Sequence, residues 1–166
     1  MPEPSRHQAN PLFLREEELR QGIELLFYAY RDFTGEADSL LAELGFGRAH
    51  HRVVYFVGRY PGITVSGLLK ILRITKQSLS RVLRELIDKG YIDQVSGARD
   101  RRQRLLTLTE RGVALERDLT TAQARRVARA YREAGAVAVE GFRKVLLGIL
   151  DDETRRAVER ELVREA

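Results

Sequence analysis

The stretch Thr75-Lys76-Gln77-Ser78-Leu79-Ser80-Arg81-Val82-Leu83-Arg84-Glu85-Leu86-Ile87-Asp88-Lys89-Gly90 decides the fold. Leu79, Val82, Leu83, Leu86 and Ile87 recur at i, i+3, i+4, i+7 and i+8, a single apolar stripe on a helix. Thr75 is placed as its N-cap, and Gly90 stands where a left-handed residue ends a helix. The opposite face offers Lys76, Gln77, Ser78, Ser80, Arg81 and Arg84, gathered toward the N-terminal half, while the acids Glu85 and Asp88 sit toward the far end. A helix entering a DNA major groove needs this layout: Gln can bridge adenine, Arg can clamp guanine, and the positive end of the helix dipole favours phosphate. Any solvated helix face is also rich in Lys and Arg, so the neighbourhood has to decide.

Immediately downstream the period changes from helical to alternating. Tyr91 to Val95 and Arg104 to Leu108 read as two short strands around the polar, basic loop Ser96-Gly97-Ala98-Arg99-Asp100-Arg101-Arg102-Gln103. Upstream, Thr64 caps a short helix over 65–72, preceded by Pro61-Gly62 and a helix over 48–60 with Val53, Phe56 and Val57 inward. A long amphipathic helix over 12–44, kinked near Gly35, carries Leu19, Ile23, Leu26, Phe27, Tyr30, Phe33, Ala37, Leu40, Leu41 and Leu44 and ends at Gly45 and Gly47. After the strands, Thr109-Glu110 opens another long helix to about Arg132, and two further helices follow over 136–150 and 152–163. Helix, helix, β-hairpin is the order of a winged helix-turn-helix. The expected fold is mainly α, a winged helix-turn-helix domain with a two-stranded β wing, flanked by N- and C-terminal dimerisation helices. Its parts are a flexible tail (1–11), an N-terminal dimerisation helix (12–45), the DNA-binding domain (46–112) and C-terminal dimerisation helices (113–166).

Charge agrees with this placement. The 166 residues carry a net +5, with a pI near 9.8. Between Gly62 and Leu108 ten basic residues face four acidic ones, a net +6, so the rest of the chain is slightly negative. Basicity is concentrated where the nucleic acid would lie. The loop's arginines can enter the narrow, electronegative minor groove beside the helix.

Other classes find little support. The chain has no cysteine, which removes disulfides, thiolate metal sites and thiol-based oxidant sensing. No nucleophile elbow, phosphate-cradling glycine loop, H-E-x-x-H or dinucleotide fingerprint is present, so no catalytic residue and no cofactor is expected. His50 and His51 are adjacent, which on a helix turns them about 100° apart and away from a shared ion. No apolar run approaches the roughly 20 residues of a membrane span, and the polar first ten residues contain no signal-peptide core, so a cytoplasmic protein is expected. A winged helix that binds only protein is the remaining alternative, and the basic 62–108 segment argues against it.

Several stretches together resemble the MarR family. They are Pro61-Gly62-Ile63-Thr64-Val65-Ser66, Thr75 through Leu83, Lys89-Gly90-Tyr91, Asp100-Arg101-Arg102, and Leu106-Thr107-Leu108-Thr109-Glu110-Arg111-Gly112. The match runs roughly from Phe46 to Gly112, and the D-x-R of Asp100 and Arg102 is its most telling element. The wording Arg48-Ala49-His50-His51-Arg52 is similar to the PetP-type proteobacterial branch. The resemblance implies a homodimeric bacterial transcription regulator that binds a pseudopalindromic double-stranded DNA operator. Thr64, Thr75, Lys76, Gln77, Ser78, Ser80, Arg81 and Arg84 would contact DNA with the wing residues Arg99, Asp100, Arg101 and Arg102; Arg102 would enter the minor groove and Asp100 would orient it. It also implies a small aromatic or acidic effector in a cleft lined from the first, second and fifth helices, for which Tyr28, His50, His51 and Arg52 are the polar candidates. Independently of the resemblance, the long apolar stripes at both ends exceed what a small winged domain can cover.

Overall fold

In the computed structural model, which describes residues 11–97 and 102–165, the 75–89 stripe becomes helix α4 (Lys76–Asp88), with Leu79, Val82, Leu83 and Leu86 buried. It is preceded by α1 (Glu16–Glu43), α2 (Arg48–Arg59), the two-residue strand β1 (Ile63–Thr64) and α3 (Val65–Leu72). It is followed by β2 (Ile92–Ser96), β3 (Arg104–Leu108), α5 (Glu110–Ala134), α6 (Ala136–Ile149) and α7 (Asp152–Glu165). The chain divides into two compact units, residues 1–123 and 124–166. Among the described residues no helix is long and apolar enough to cross a membrane.

The helix starts follow the expected capping chemistry. The Thr64 hydroxyl accepts from the Gly67 amide at 3.0 Å, and the Thr75 hydroxyl accepts from Ser78 at 3.1 Å. Two details differ from the sequence reading. Residues Leu12–Leu14 form a separate 3-10 turn, and α1 begins only at Glu16, where Glu16, Glu17 and Glu18 complement the positive end of the helix. The helix of α1 runs without a break through Gly35.

The wing is a hairpin joined by a third strand. β3 pairs antiparallel with β2 from Ile92↔Leu108 to Ser96↔Arg104, and on its other edge with β1 through Ile63↔Leu106 and Thr64↔Leu105. The hairpin tip, residues 98–101, lies outside the described residues, as do residues 1–10 of the expected tail.

One core unites the first unit. Ala37 and Leu41 of α1, Val53, Val54 and Val57 of α2, Leu68 of α3, the α4 stripe, Ile92 and Leu106 of the sheet, and Leu115 and Leu119 of α5 are all buried in it. Each such valine, leucine or isoleucine side chain contributes about 1.5–3 kcal/mol relative to exposure. The C-terminal half of α1 thus packs into the winged domain. Its N-terminal half continues the same stripe uncovered, with Ile23 68% and Phe27 64% exposed. In the second unit, Tyr131 meets Phe142 edge-on at 6.3 Å, and Val137, Val145 and Ile149 are exposed.

Two helix ends share a design. After α1, Gly45 adopts φ +70° and the amide of Phe46 returns to the Leu41 carbonyl; after α4, Gly90 adopts φ +75° and the amide of Tyr91 returns to Leu86. Both turns deliver an aromatic ring, and the two rings meet edge-on at 5.3 Å. The start of α5 then docks on the end of α4. Thr109 Oγ1 donates to Gly90 O at 2.7 Å, the Thr109 amide to Tyr91 O at 3.1 Å, and Arg111 to Lys89 O at 2.9 Å. Gly112 makes this approach possible, because a Cβ there would lie inside the van der Waals shell of the Tyr91 carbonyl. Gly112→Ala is therefore expected to destabilise the fold by about 2–4 kcal/mol in denaturant unfolding. Gly35→Ala, with open space around its Cβ and an ordinary helical conformation, should instead stabilise by about 0.5–1 kcal/mol; similar effects of the two variants would remove the close approach as a constraint.

Candidate nucleic-acid interface

The outward face of α4 is set by its inward one. With Leu79, Val82, Leu83 and Leu86 committed to the core, Lys76, Gln77, Ser78, Ser80, Arg81 and Arg84 must face solvent, and together they line one open hollow. No acidic residue occupies the first turn of α4, so the helix dipole and the cations there attract an anion together. Thr75 and Thr64 stand at the starts of their helices with their hydroxyls already engaged: Thr75 Oγ1 also donates to Ser78 Oγ at 2.9 Å, and Thr64 Oγ1 lies 3.1 Å from Ser66 Oγ. Their visible work is to fix where α3 and α4 begin.

At the wing, Arg104 donates to Ser96 Oγ at 3.0 Å and the Gly97 amide to Gln103 O at 2.9 Å, which closes the hairpin below its tip. Arg102 is exposed where the chain re-enters this frame. Arg99, Asp100 and Arg101 lie outside the described residues.

The four candidate effector residues separate. Tyr28 lies about 200° around α1 from Tyr30, edge-on to Phe27 and under the Arg31 guanidinium. His50 faces α4: its Nδ1 accepts from the Gly47 amide at 3.1 Å, its ring stacks on Phe46, and Nε2 lies 2.8 Å from Glu85 Oε2. His51 and Arg52 face the other way. Arg52 donates to Tyr30 Oη at 2.8 Å, and beside it Arg48 pairs with Asp38 at 2.8 Å and lies over the Tyr30 ring. The sequence reading missed Tyr30, Asp38 and Arg48 as members of this group. The available signal was Asp38 itself, a carboxylate next to the buried Ala37.

Burial pushes the His51 imidazole below its ordinary value of 6.5, and Arg52 adds to the effect, while Asp38 and Glu116 oppose it. The unfolded chain therefore binds a proton more readily than the folded one. The stability that His51 contributes is complete above pH 6.5 and is lost as pH falls from there through the lower folded value. Denaturant midpoints measured between about pH 7 and 5 at one protein concentration should fall less steeply for His51→Gln than for the unsubstituted chain. Equal slopes would show that His51 does not couple folding to protons.

Comparison with known proteins agrees with this geometry. The MarR family model matches residues 44–103. The chain is 52% identical over 145 residues, 87% of each protein, to the HTH-type transcriptional regulator PetP of Rhodobacter capsulatus. The fold is shared with a MarR family transcription regulator (TM-score 0.69, 21% identity, 90% of this chain and 95% of that one). It is shared also with a mutant MarR from E. coli complexed with operator DNA (TM-score 0.63, 22% identity, 85% and 99%). With its two-faced α4, its wing and this kinship over most of its length, the chain belongs to the MarR family of transcriptional regulators.

Proposed function

We propose that two copies of the chain bind a pseudopalindromic operator, each placing α4 in one major groove and its wing in the adjoining minor groove. The carrying observation is the division of α4 into a buried apolar stripe and an open face of Lys76, Gln77, Ser78, Ser80, Arg81 and Arg84. Gln77 and Arg81 read base edges; Lys76, Arg84 and the wing arginines hold phosphate or the minor groove. The second copy covers the apolar stripe that α1 carries beyond the core, Leu19, Ile23, Leu26 and Phe27, together with exposed residues of α6. On this reading residues 12–45 and 113–166 supply the dimer contacts and 46–112 the DNA contacts. A small acid acts on DNA affinity from the side of α2 where Arg48, His51, Arg52 and Tyr30 lie together, its carboxylate drawn to the two guanidinium groups.

Selection of bound duplexes from a random pool, with the solution mass measured in parallel, tests the reading. The expected result is twice the 19.0 kDa chain mass and an inverted repeat with half-sites about one helical turn apart. Binding of any DNA alike, with strong salt dependence, would leave an architectural role instead. Against the enriched duplex, Gln77→Ala or Arg81→Ala should relax preference at one position per half-site by about 1–3 kcal/mol. Arg102→Ala should weaken binding broadly and flatten the salt dependence by about one unit for each phosphate left unneutralised, or relax an A·T preference beside the major-groove site. An unchanged affinity and salt slope for Arg102→Ala would take the wing out of the reading.

A further inference from the structure

The last turn of α4 and its cap, which the operator reading leaves unused, are tied to the corner between α1 and α2 by two directional links. Glu85 Oε2 meets His50 Nε2 at 2.8 Å; the Gly47 amide already donates to Nδ1, so Nε2 is the donor, and the imidazole is only 12% exposed. One turn later, Lys89 Nζ donates at 3.0 Å to the carbonyl of Leu44, the residue that caps α1 before its glycine turn, and lies 4.5 Å from the Phe46 ring centre. Phe46, buried at that corner, is stacked with His50 at 4.6 Å. Glu85 and Lys89 are four residues apart and share one side of the helix.

We propose that Glu85 and Lys89 are positioning residues for DNA recognition, fixing through His50 and Leu44 the angle at which α4 presents Gln77 and Arg81. Burial of the stripe packs α4 on the domain and favours a crossing angle, and the two polar links add directional restraint on its roll and tilt. Gln77 lies eight residues from Glu85, about 12 Å along the helix. A tilt of about 5° there moves Gln77 by about 1 Å, enough to break a hydrogen bond to a base. An acid on a helix that approaches phosphate also opposes binding, so Glu85 has to act through the protein rather than through DNA.

The proposal rests on the operator reading, and sign separates it from its rival. A bystander carboxylate, when removed, tightens binding to every duplex alike. A positioning carboxylate, when removed, lowers the ratio of operator to unrelated affinity. The experiment measures that ratio for the full chain, using the duplex the unsubstituted chain enriches and an unrelated duplex of equal length, with thermal unfolding alongside. Glu85→Ala should lower the ratio about tenfold without weakening the unrelated duplex, a size of coupling within the range for one half-buried hydrogen-bonded pair. Glu85→Gln, whose amide oxygen still accepts from Nε2, should keep the ratio within about twofold. His50→Asn, which can still accept from Gly47 but falls short of Glu85, should match Glu85→Ala, and the double variant should lose nothing further. Should Glu85→Ala fail to fold, Glu85→Asp, one methylene short of His50, takes its place. An unchanged ratio in the Ala or Asp variant, or a ratio lowered equally by Gln, overturns this proposal alone. An unsubstituted chain that enriches no duplex overturns the operator reading and this proposal with it.

Discussion

The carbonyls of Lys89, Gly90 and Tyr91 sit where a helix has ended, so they have no helical partners and must find donors. All three are met from the start of α5: Arg111 at Lys89, the Thr109 hydroxyl at Gly90 and the Thr109 amide at Tyr91. Because Thr109 follows β3 directly, the contact that satisfies the end of α4 also fixes the base of the wing. The Arg111 guanidinium, 4.4 Å from the Tyr91 ring centre, and the missing side chain of Gly112 let the two backbones close on each other. The matching turn after α1 brings Phe46 against Tyr91, so α1, α4 and the start of α5 converge on a single aromatic contact.

With that junction in place, α4 serves two purposes along its length. Its N-terminal half carries the open cationic face and no carboxylate in the first turn; its C-terminal half carries the groups that hold it to the protein. The first turn of α2 divides in the same way. The adjacent histidines diverge as helix geometry demands, His50 toward Glu85 of α4 and His51 toward the charge field of Asp38 and Glu116. The start of α2 therefore touches both α4 and the cluster of Arg48, Arg52 and Tyr30.

Much of the fold was legible because its signals are local. The stripes of α1, α2 and α4, the threonine caps of α3 and α4, the glycine after α4 and the strand alternation are all set by residues within one or two turns of each other. The open face of α4 followed at once, since the residues facing away from a buried stripe can be read from the stripe. β1 was missed because two residues show no period, and its pairing with Leu105 and Leu106 lies some forty residues away. The demand for glycine at 112 was invisible for a related reason: it arises from a carbonyl twenty-one residues earlier in the chain.

The effector candidates mark the boundary most clearly. The family resemblance and residue type nominate Tyr28, His50, His51 and Arg52 together, yet Tyr28 lies across α1 from Tyr30 and His50 turns to Glu85, while Arg52 keeps company with Tyr30 and Arg48 with Asp38. The sequence by itself determined the main helices and the hairpin, their order, the buried stripe of α4 and the basic character of its outer face, because hydrophobic period, capping and net charge are properties of neighbouring residues. Only the tertiary structure decided which polar side chains meet, because a hydrogen bond needs its partners within about 3 Å and that distance is set by how helices far apart in the chain pack together.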